Sequence, residues 1–385
     1  MQRLSSLPLP ASMSASLLAL VLAGSQAHAD LPADTIGQTT LPFPPEPHRT
    51  YVIDAEFENQ VASRVIVVDP DSKKMLGMLS TGGMAPAVLS NDRKTIFTAD
   101  MFYSRYTRGT RTDVLTAWDS STLEPAWEVE VPPKRASMLT QRYAVATSAD
   151  DRFAYVYNFT PSTSITIVDT TSHKVVNELS IAGCVLDYPV GKRRIASLCG
   201  DGNVQVVTLD DQGQEVSRSQ TPFFKPDEEK LVERAVGVGD IYRFVTTTGT
   251  VHGIDLSGKE PKVLPSWSLL SDEDKKGGWA PGGWELMAIA PKLNRLYVLM
   301  HPDHQPQMWE DPSQTIWVYD LKTHKKIGTL ESPSYVWSLH ATSDDHPLLL
   351  GTNIDGGLEI FDLTSGKHTG TMEKLAKTPI QILNH

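Results

Sequence analysis

Cysteine is scarce in this chain: only Cys184 and Cys199 occur. No C-x-x-C pair, no C-x-x-C-H haem-attachment motif and no H-E-x-x-H motif is present among the 11 histidines, so thiolate metal centres and covalently attached haem have no basis in the sequence. Basic charge is also in deficit. Thirty-five Lys and Arg face 46 Asp and Glu, for a net charge of -11, and no Lys/Arg-rich run exists. That excludes the basic footprint nucleic-acid phosphates require. No window after the first thirty residues is long and apolar enough to span a bilayer, and none sustains the 3.6-residue apolar period of a helix. G-x-S-x-G and Walker loops are missing too, and Gly277-Gly-Trp-Ala-Pro-Gly-Gly283 lacks the Lys-Ser/Thr ending of a phosphate cradle.

What is present begins with an export signal. Arg3 precedes the apolar run Ala15 to Ala23, and Ala27-His28-Ala29 forms an A-x-A cleavage site before Asp30. The expectation is a signal peptide over 1–29, a mature chain over 30–385 and a periplasmic location. In such an oxidising compartment Cys184 and Cys199 read as one disulfide, worth about 3 kcal/mol by loop entropy, with two buried thiols as the alternative.

The strongest signal is an internal repeat in which β-branched or aromatic residues end in Asp and a polar turn follows. Its copies end at Asp69, Asp119, Asp169, Asp210, Asp255, Asp320 and Asp362, at intervals of 50, 50, 41, 45, 65 and 42. These intervals match one four-stranded propeller blade each, with one long insertion. The expected fold is therefore all-β, a seven-bladed β-propeller of four-stranded antiparallel blades forming a single domain over 30–385. A second recurring element, Leu89-Ser-Asn-Asp-Arg-Lys-Thr-Ile-Phe97, returns near Thr147, Ala290 and Thr342 and marks the turn between inner strands. The best helical candidate is short, Ser271 to Lys276 in the long interval, with Ser271 as N-cap.

Candidate chemistry is sparse. The repeated Asp residues stand where hairpins need them, which leaves no acid–base pair to single out. His301-Pro302-Asp303-His304 offers two imidazoles and a carboxylate, yet a hydrogen-bonded turn is the plainer reading than a metal site. Asn158-Phe-Thr160 fits a glycosylation sequon, which carries little weight in what reads as a bacterial export product. Trp267, Trp279 and Trp284 crowd one glycine-rich stretch, where they either fill gaps between blades or serve a subunit interface. Arg105, Arg108 and Arg111 lead into a strand and either pair with a partner's acidic groups or form a solvated loop.

These two stretches also carry a resemblance. Ser104-Arg105 with Thr107-Arg-Gly-Thr-Arg-Thr-Asp113, and Gly278-Trp-Ala-Pro-Gly-Gly-Trp284, look like the heavy chains of quinoprotein amine dehydrogenases, the methylamine and aromatic amine types. The likeness continues through Ala182-Gly-Cys184, Cys199-Gly-Asp-Gly202, Ser268 to Lys275 and Tyr297 to Asp303, the last two nearer the aromatic-amine type. The resemblance implies the large subunit of a periplasmic α2β2 heterotetramer. Its cofactor, tryptophan tryptophylquinone, would sit on the small subunit, leaving no catalytic residue and no metal on this chain. A primary amine and water would give aldehyde and ammonia, with electrons passing to a small blue copper protein of azurin or amicyanin type.

In that family the large subunit shapes the substrate channel. A channel-lining phenylalanine of the methylamine type matches Met84 in Gly82-Gly-Met-Ala-Pro86. A flexible thioether there departs from the pattern and leaves the amine open. Cys184 and Cys199 fit the family's disulfide positions, and Arg105, Arg108, Arg111, Trp279 and Trp284 become candidates for the subunit interface. From another class, a free-standing periplasmic propeller that binds a ligand or protein is the alternative, since the fold hosts many functions. A single-chain enzyme with a cofactor on the propeller axis is weaker still, because no cofactor-binding motif is visible.

Overall fold

Runs such as Arg64-Val-Ile-Val-Val-Asp69 and Phe153-Ala-Tyr-Val-Tyr-Asn158 are too apolar for a strand with one wet face, and each lies inside a stack of sheets. In the computed structural model, which describes residues 39–135, 140–302 and 309–384, the inner and middle strands are covered on both faces. Thr50–Asp54, Phe153–Asn158, Ser164–Asp169 and Leu348–Asn353 are buried throughout. The outermost strands are wet: Glu215–Pro222 is exposed over nearly its whole length. The export signal, Asp303 and His304 lie outside the described residues.

The architecture is an all-β propeller with antiparallel four-stranded sheets. Ala87–Leu89, Thr95–Tyr103, Arg111–Asp119 and Pro125–Val131 form one such sheet, innermost strand first. Three more run in the same order from Val145–Thr147, Cys184–Val190 and Leu231–Val238. In the fifth, the C-terminal strand Pro379–Asn384 pairs with Thr50–Asp54, with Val52 opposite Ile382, so the chain's two ends close the ring. Closure of this kind removes the open edge that a row of sheets would otherwise leave.

The remaining strands depart from the expected seven separate blades. They form one eight-stranded sheet, so the discrete four-stranded sheets number five. The physical reason is the 17-residue strand Lys325–Ala341. Its first half pairs with Ser313–Asp320 and its second with Leu348–Asn353. Elsewhere a linker separates an outermost strand from the next innermost one. Here the chain stays extended through Glu331–Tyr335, and the register jumps from Thr315 opposite Glu331 to Ser313 opposite Val336.

The seven repeated aspartates do what the pattern required of them. Each accepts a backbone N–H two residues on, from Asp71, Ser121, Thr171, Gln212, Ser257, Lys322 and Thr364 in turn. These are Asx turns, which start a hairpin without help from the sheet ladder. The turn donors, Thr122 N–H, the Ser257 and Thr323 hydroxyls and Ser365 N–H foremost, hold the carboxyls of Asp119, Asp255, Asp320 and Asp362 below the ordinary range. The inner-strand turn has its own cap: Ser90, Ser148 and Thr342 accept the N–H of Thr95, Phe153 and Leu348.

Cys184 and Cys199 stand opposite each other on neighbouring strands and are joined as a disulfide. The expected short helix is Asp272–Lys276, with Ser271 and Asp274 forming a reciprocal capping box. Asn158 of the sequon is buried, its amide donating to Ser164 Oγ at 3.1 Å and Thr166 Oγ1 at 2.9 Å, and so is closed to glycosylation.

Antiparallel pairing gives the propeller two distinct ends. Asx turns and inner-strand turns gather at one. Connections between second and third strands, and linkers from one blade to the next, gather at the other. Met84, the loop 104–110, the Trp279–Trp284 stretch and the disulfide all belong to this second end.

Candidate functional site

At the second end the linker after Lys74–Gly82 turns sharply through Gly82, Gly83 and Met84. A Cβ on Gly83 would lie 2.5 Å from the Gln60 carbonyl oxygen, and one on Gly82 would lie 2.7 Å from Met101 N, so both positions demand glycine. Met84 follows at φ 49, in the left-handed region a side chain rarely adopts. A buried guanidinium holds this turn: Arg135 donates to Met84 O and Gly83 O, each at 2.8 Å. Gly82 N–H donates to Asp100 Oδ1 at 2.8 Å, while the Thr98 and Thr116 hydroxyls donate to Oδ2. Burial drives the Arg135 pKa down to about 10, and burial raises that of Asp100 despite its three donors.

Met84 is fully buried, packed with Ala55, Ile380, Phe57, Trp284 and Trp337. The two tryptophans are fixed by their indole N–H groups, Trp284 to Thr140 O at 3.0 Å and Trp337 to Pro379 O at 2.8 Å. Arg234 stacks on this cluster, its guanidinium 3.9 Å from the Trp284 ring and 5.0 Å from Trp309. It also donates to Gln141 Oε1 at 2.8 Å and to Glu310 Oε1 at 2.5 Å.

Behind this layer Arg142 crosses the axis. It starts from the linker before Val145–Thr147, yet its guanidinium bonds Met287 O and Leu339 O on innermost strands elsewhere in the ring. Its Nε pairs with the buried Glu285 at 2.8 Å, and its N–H donates to the other Glu285 oxygen. Burial pushes the Glu285 carboxyl up, with Arg142 opposing. Burial and then the Arg142 charge push the His340 imidazole down to about 3.

Beside the axis a hollow of about 500 Å³ opens at the same end. It lies over the blade carrying the disulfide, whose connections 181–183 and 200–202 are only three residues each. Tyr157, Phe159, Leu198 and Phe224 give its apolar wall, and Gln141 and Glu233 its polar side. Near it Asp187 is fully buried, and neither carboxylate oxygen has a hydrogen-bond partner among the described residues. Burial raises its pKa well above the usual carboxylate range.

The candidate interface residues fall into separate environments. Arg105 and Arg108 are exposed at the tip of the loop 104–110. Arg111 is turned inward, with both arms on Asp113 at 2.6 Å and a further bond to Arg135 O. Trp279 is half-buried, 4.8 Å from the Trp317 ring. Trp284 is committed to the Met84 cluster. His301 is buried and its imidazole is pushed down by burial, whereas Asp303 and His304 lie outside the described residues. Among the described residues no group of three His, Cys, Asp or Glu side chains could hold a metal.

Arg135, Arg142, Arg234, Glu285, Trp337 and Asp187 escape a reading of the sequence. Arg135 and Met84 stand 51 residues apart and Arg142 and Glu285 143 apart, with no local pattern to mark them.

Residues 46–385 match the family described as methylamine dehydrogenase heavy chain (MADH). The chain is 26% identical over 394 residues to the methylamine dehydrogenase heavy chain of Methylophilus methylotrophus, covering 97% of this chain and 96% of that one. It is 27% identical over 384 residues to that of Methylorubrum extorquens, covering 95% and 93%. Among solved structures it is similar to a functionally unknown protein from Desulfotomaculum acetoxidans (TM-score 0.59, 12% identity, 87% of this chain and 99% of that one). It is also similar to the dihydro-heme d1 dehydrogenase NirN (TM-score 0.53, 14% identity, 93% and 78%). At such identity these two likenesses speak for the fold alone.

Proposed function

The chain belongs to the methylamine dehydrogenase heavy chain family, and from that premise we propose that it is the large, catalytically silent subunit of a periplasmic amine dehydrogenase. The observation that carries the reading is the extent of the match, which spans residues 46–385 and so takes in every strand of the propeller. The partner is a small subunit in an α2β2 heterotetramer. When bound there, tryptophan tryptophylquinone supplies the chemistry that converts a primary amine and water to aldehyde and ammonia, with electrons passing to a small blue copper protein.

This chain's part is to hold and shape. The second end is read as the docking face: Phe102, Tyr106, Tyr335 and Ile354 stand exposed on its loops and strand ends, whereas Met75, Val216, Val263 and Ile327 are exposed on outermost strands. Exposed apolar groups gathered on one face are what a partner covers. Arg105 and Arg108 add cationic donors to it, and Trp279 an aromatic edge. Met84 lies beneath that face, packed behind Trp284 and Trp337 with its backbone held by Arg135, so it shapes the path to the partner's quinone through those rings. Identity of 24–27% to methylamine enzymes leaves amine preference to such lining residues. An aromatic amine is favoured by the matched segments Ser268 to Lys275 and Tyr297 to Asp303.

The seven-blade count belongs to the same proposal. The eight-stranded sheet is read as two blades sharing Lys325–Ala341, supported by its two pairing halves and by the seven Asx turns. Periplasmic export rests on the segment before Asp30.

The test is a periplasmic pull-down of the tagged chain from its host, with intact-mass and visible-absorbance analysis. A small, disulfide-rich partner carrying a tryptophan-derived quinone is expected, with no amine oxidation by the chain alone. Dye-linked turnover by the isolated chain, or a colourless lone propeller under inducing conditions, would overturn the proposal.

A further inference from the structure

The hollow beside the disulfide has a composition that its role in packing does not explain. Its described lining contains one carboxylate, Glu233, and no lysine or arginine. The rest of the lining is mostly apolar, with Tyr157, Phe159, Leu198 and Phe224 among it. Its volume, about 500 Å³, lies in the range of small-molecule sites.

The Glu233 carboxylate is not used up by the fold. Its ion pair with Arg234 Nε is long, 3.6 Å. That same Nε donates to Gln141 Oε1 at 2.8 Å, and the Arg234 Nη2 is bound to Glu310. Glu233 thus keeps acceptor positions open on the wall of an apolar hollow. Gln141 turns its carbonyl oxygen toward Arg234 and sits in the same wall. A carboxylate and aromatic side chains in one lining, with the nearby Arg234 committed to Gln141 and Glu310, are the elements that recognise an alkylammonium group, while the apolar floor recognises what the ammonium is attached to.

We propose that this hollow binds a protonated primary amine with an aromatic or branched apolar body, the ammonium at Glu233 and the body against Phe159, Leu198 and Phe224. The choice of ligand rests on the amine dehydrogenase reading, whereas the binding itself is a property of this chain. Gln141 ties the hollow to Arg234 and so to the Trp284–Met84 cluster, which places a captured amine beside the candidate channel.

The test is calorimetric titration of the full mature chain with 2-phenylethylammonium, 2-phenylethanol and methylammonium, for the wild type, Glu233→Gln and Phe159→Ala, each checked for folding by circular dichroism. Saturable one-site binding of 2-phenylethylammonium is expected, with about tenfold or more weakening in Glu233→Gln, the loss of one charged hydrogen bond. The alcohol, which has the body without the charge, and methylammonium, which has the charge without the body, should each bind at least about tenfold more weakly. Phe159 is exposed, so Phe159→Ala keeps the fold and should weaken the two phenyl ligands while leaving methylammonium unchanged. No saturable binding to folded wild type, or equal affinity in Glu233→Gln, overturns the inference. Purification with a quinone subunit and amine turnover test the functional reading separately, so either can fail without the other.

Discussion

Arg142 Nε lies 2.8 Å from Oε2 of Glu285, a carboxylate that is 1% exposed and stands 143 residues away in the chain. The pair is made across the propeller axis. Arg142 also bonds backbone carbonyls of two innermost strands, so a charged spoke fills the middle of the ring. Innermost strands of a propeller diverge from a central gap that apolar side chains alone fill poorly. An ion pair bridging it is costly to desolvate, yet once its acceptors are satisfied it fixes which strands face one another.

Removing half of that pair should be far worse than removing both. Arg142→Met leaves Glu285 buried with its charge uncompensated, and about 3–5 kcal/mol of stability is expected to be lost. Arg142→Met with Glu285→Leu should recover most of the loss, since an apolar pair needs no solvation. Urea denaturation of the three proteins checks this. A double variant no more stable than Arg142→Met would show that Arg142 acts through its carbonyl bonds and not through Glu285.

The same contrast separates what the sequence made legible from what it hid. The repeated Asp was visible because an Asx turn is local: donor and acceptor are two residues apart, as at Asp362 and Thr364. The Ser271 cap was visible for the same reason, its partner being Asp274. Five of the Asx hairpins also place a left-handed residue four positions after the Asp, and only Gly366 announces itself. Lys73, Leu123, His173 and His324 hold the other four. His173 and His324 instead stack on Trp127 and Trp267, contacts between blades that no turn rule contains. The Met84 cluster was hidden more deeply. Ala55, Met84, Trp284, Trp337 and Ile380 come from five distant stretches, which only ring closure by the C-terminal strand brings together. The joined sheet around Lys325–Ala341 was hidden because Ser332-Pro333-Ser334 reads as a break between strands, whereas the chain stays extended through it.

Asp187 should make the protein less stable as pH rises. Burial lifts its folded-state pKa well above the unfolded value, so the fold favours the protonated form. Its penalty is therefore absent below the ordinary carboxylate pKa, grows as pH rises above it and levels off only past the raised folded value. Asp187→Asn removes the titration. Its Tm should exceed that of the wild type at neutral pH, by the equivalent of about 1–3 kcal/mol, the order of one unsatisfied buried polar group, and the difference should vanish in acid. Thermal melts from pH 3 to 8 decide it; a constant difference would mean that Asp187 stays ionised and is solvated inside the fold.

The disulfide should matter most for the shape of the hollow. Replacing both Cys184 and Cys199 with Ser releases a fifteen-residue loop, which costs about 3 kcal/mol on the chain-entropy account. The strands carrying it also have the short connections that leave the hollow open. Hydrogen exchange should therefore rise first at 181–186 and 198–202, with distant blades protected. Uniformly faster exchange around the ring would instead show that the blade is held by its neighbours.

Met84→Phe tests the layer beneath the proposed channel. Met84 is fully buried among Ala55, Ile380, Trp284 and Trp337, with its backbone at φ 49 and its carbonyl held by Arg135. A ring there is bulkier and stiffer than the thioether, so overpacking should cost about 1–3 kcal/mol. Because Arg135 fixes the backbone, the strain has to be relieved by side chains, and Trp284 and Trp337 are the neighbours whose rings border the surface. In the assembled enzyme the relative kcat/KM values across methylamine, butylamine and 2-phenylethylamine should shift toward the smaller amine. Altered stability with unchanged relative values would leave Met84 as a packing residue and move the channel elsewhere on this face.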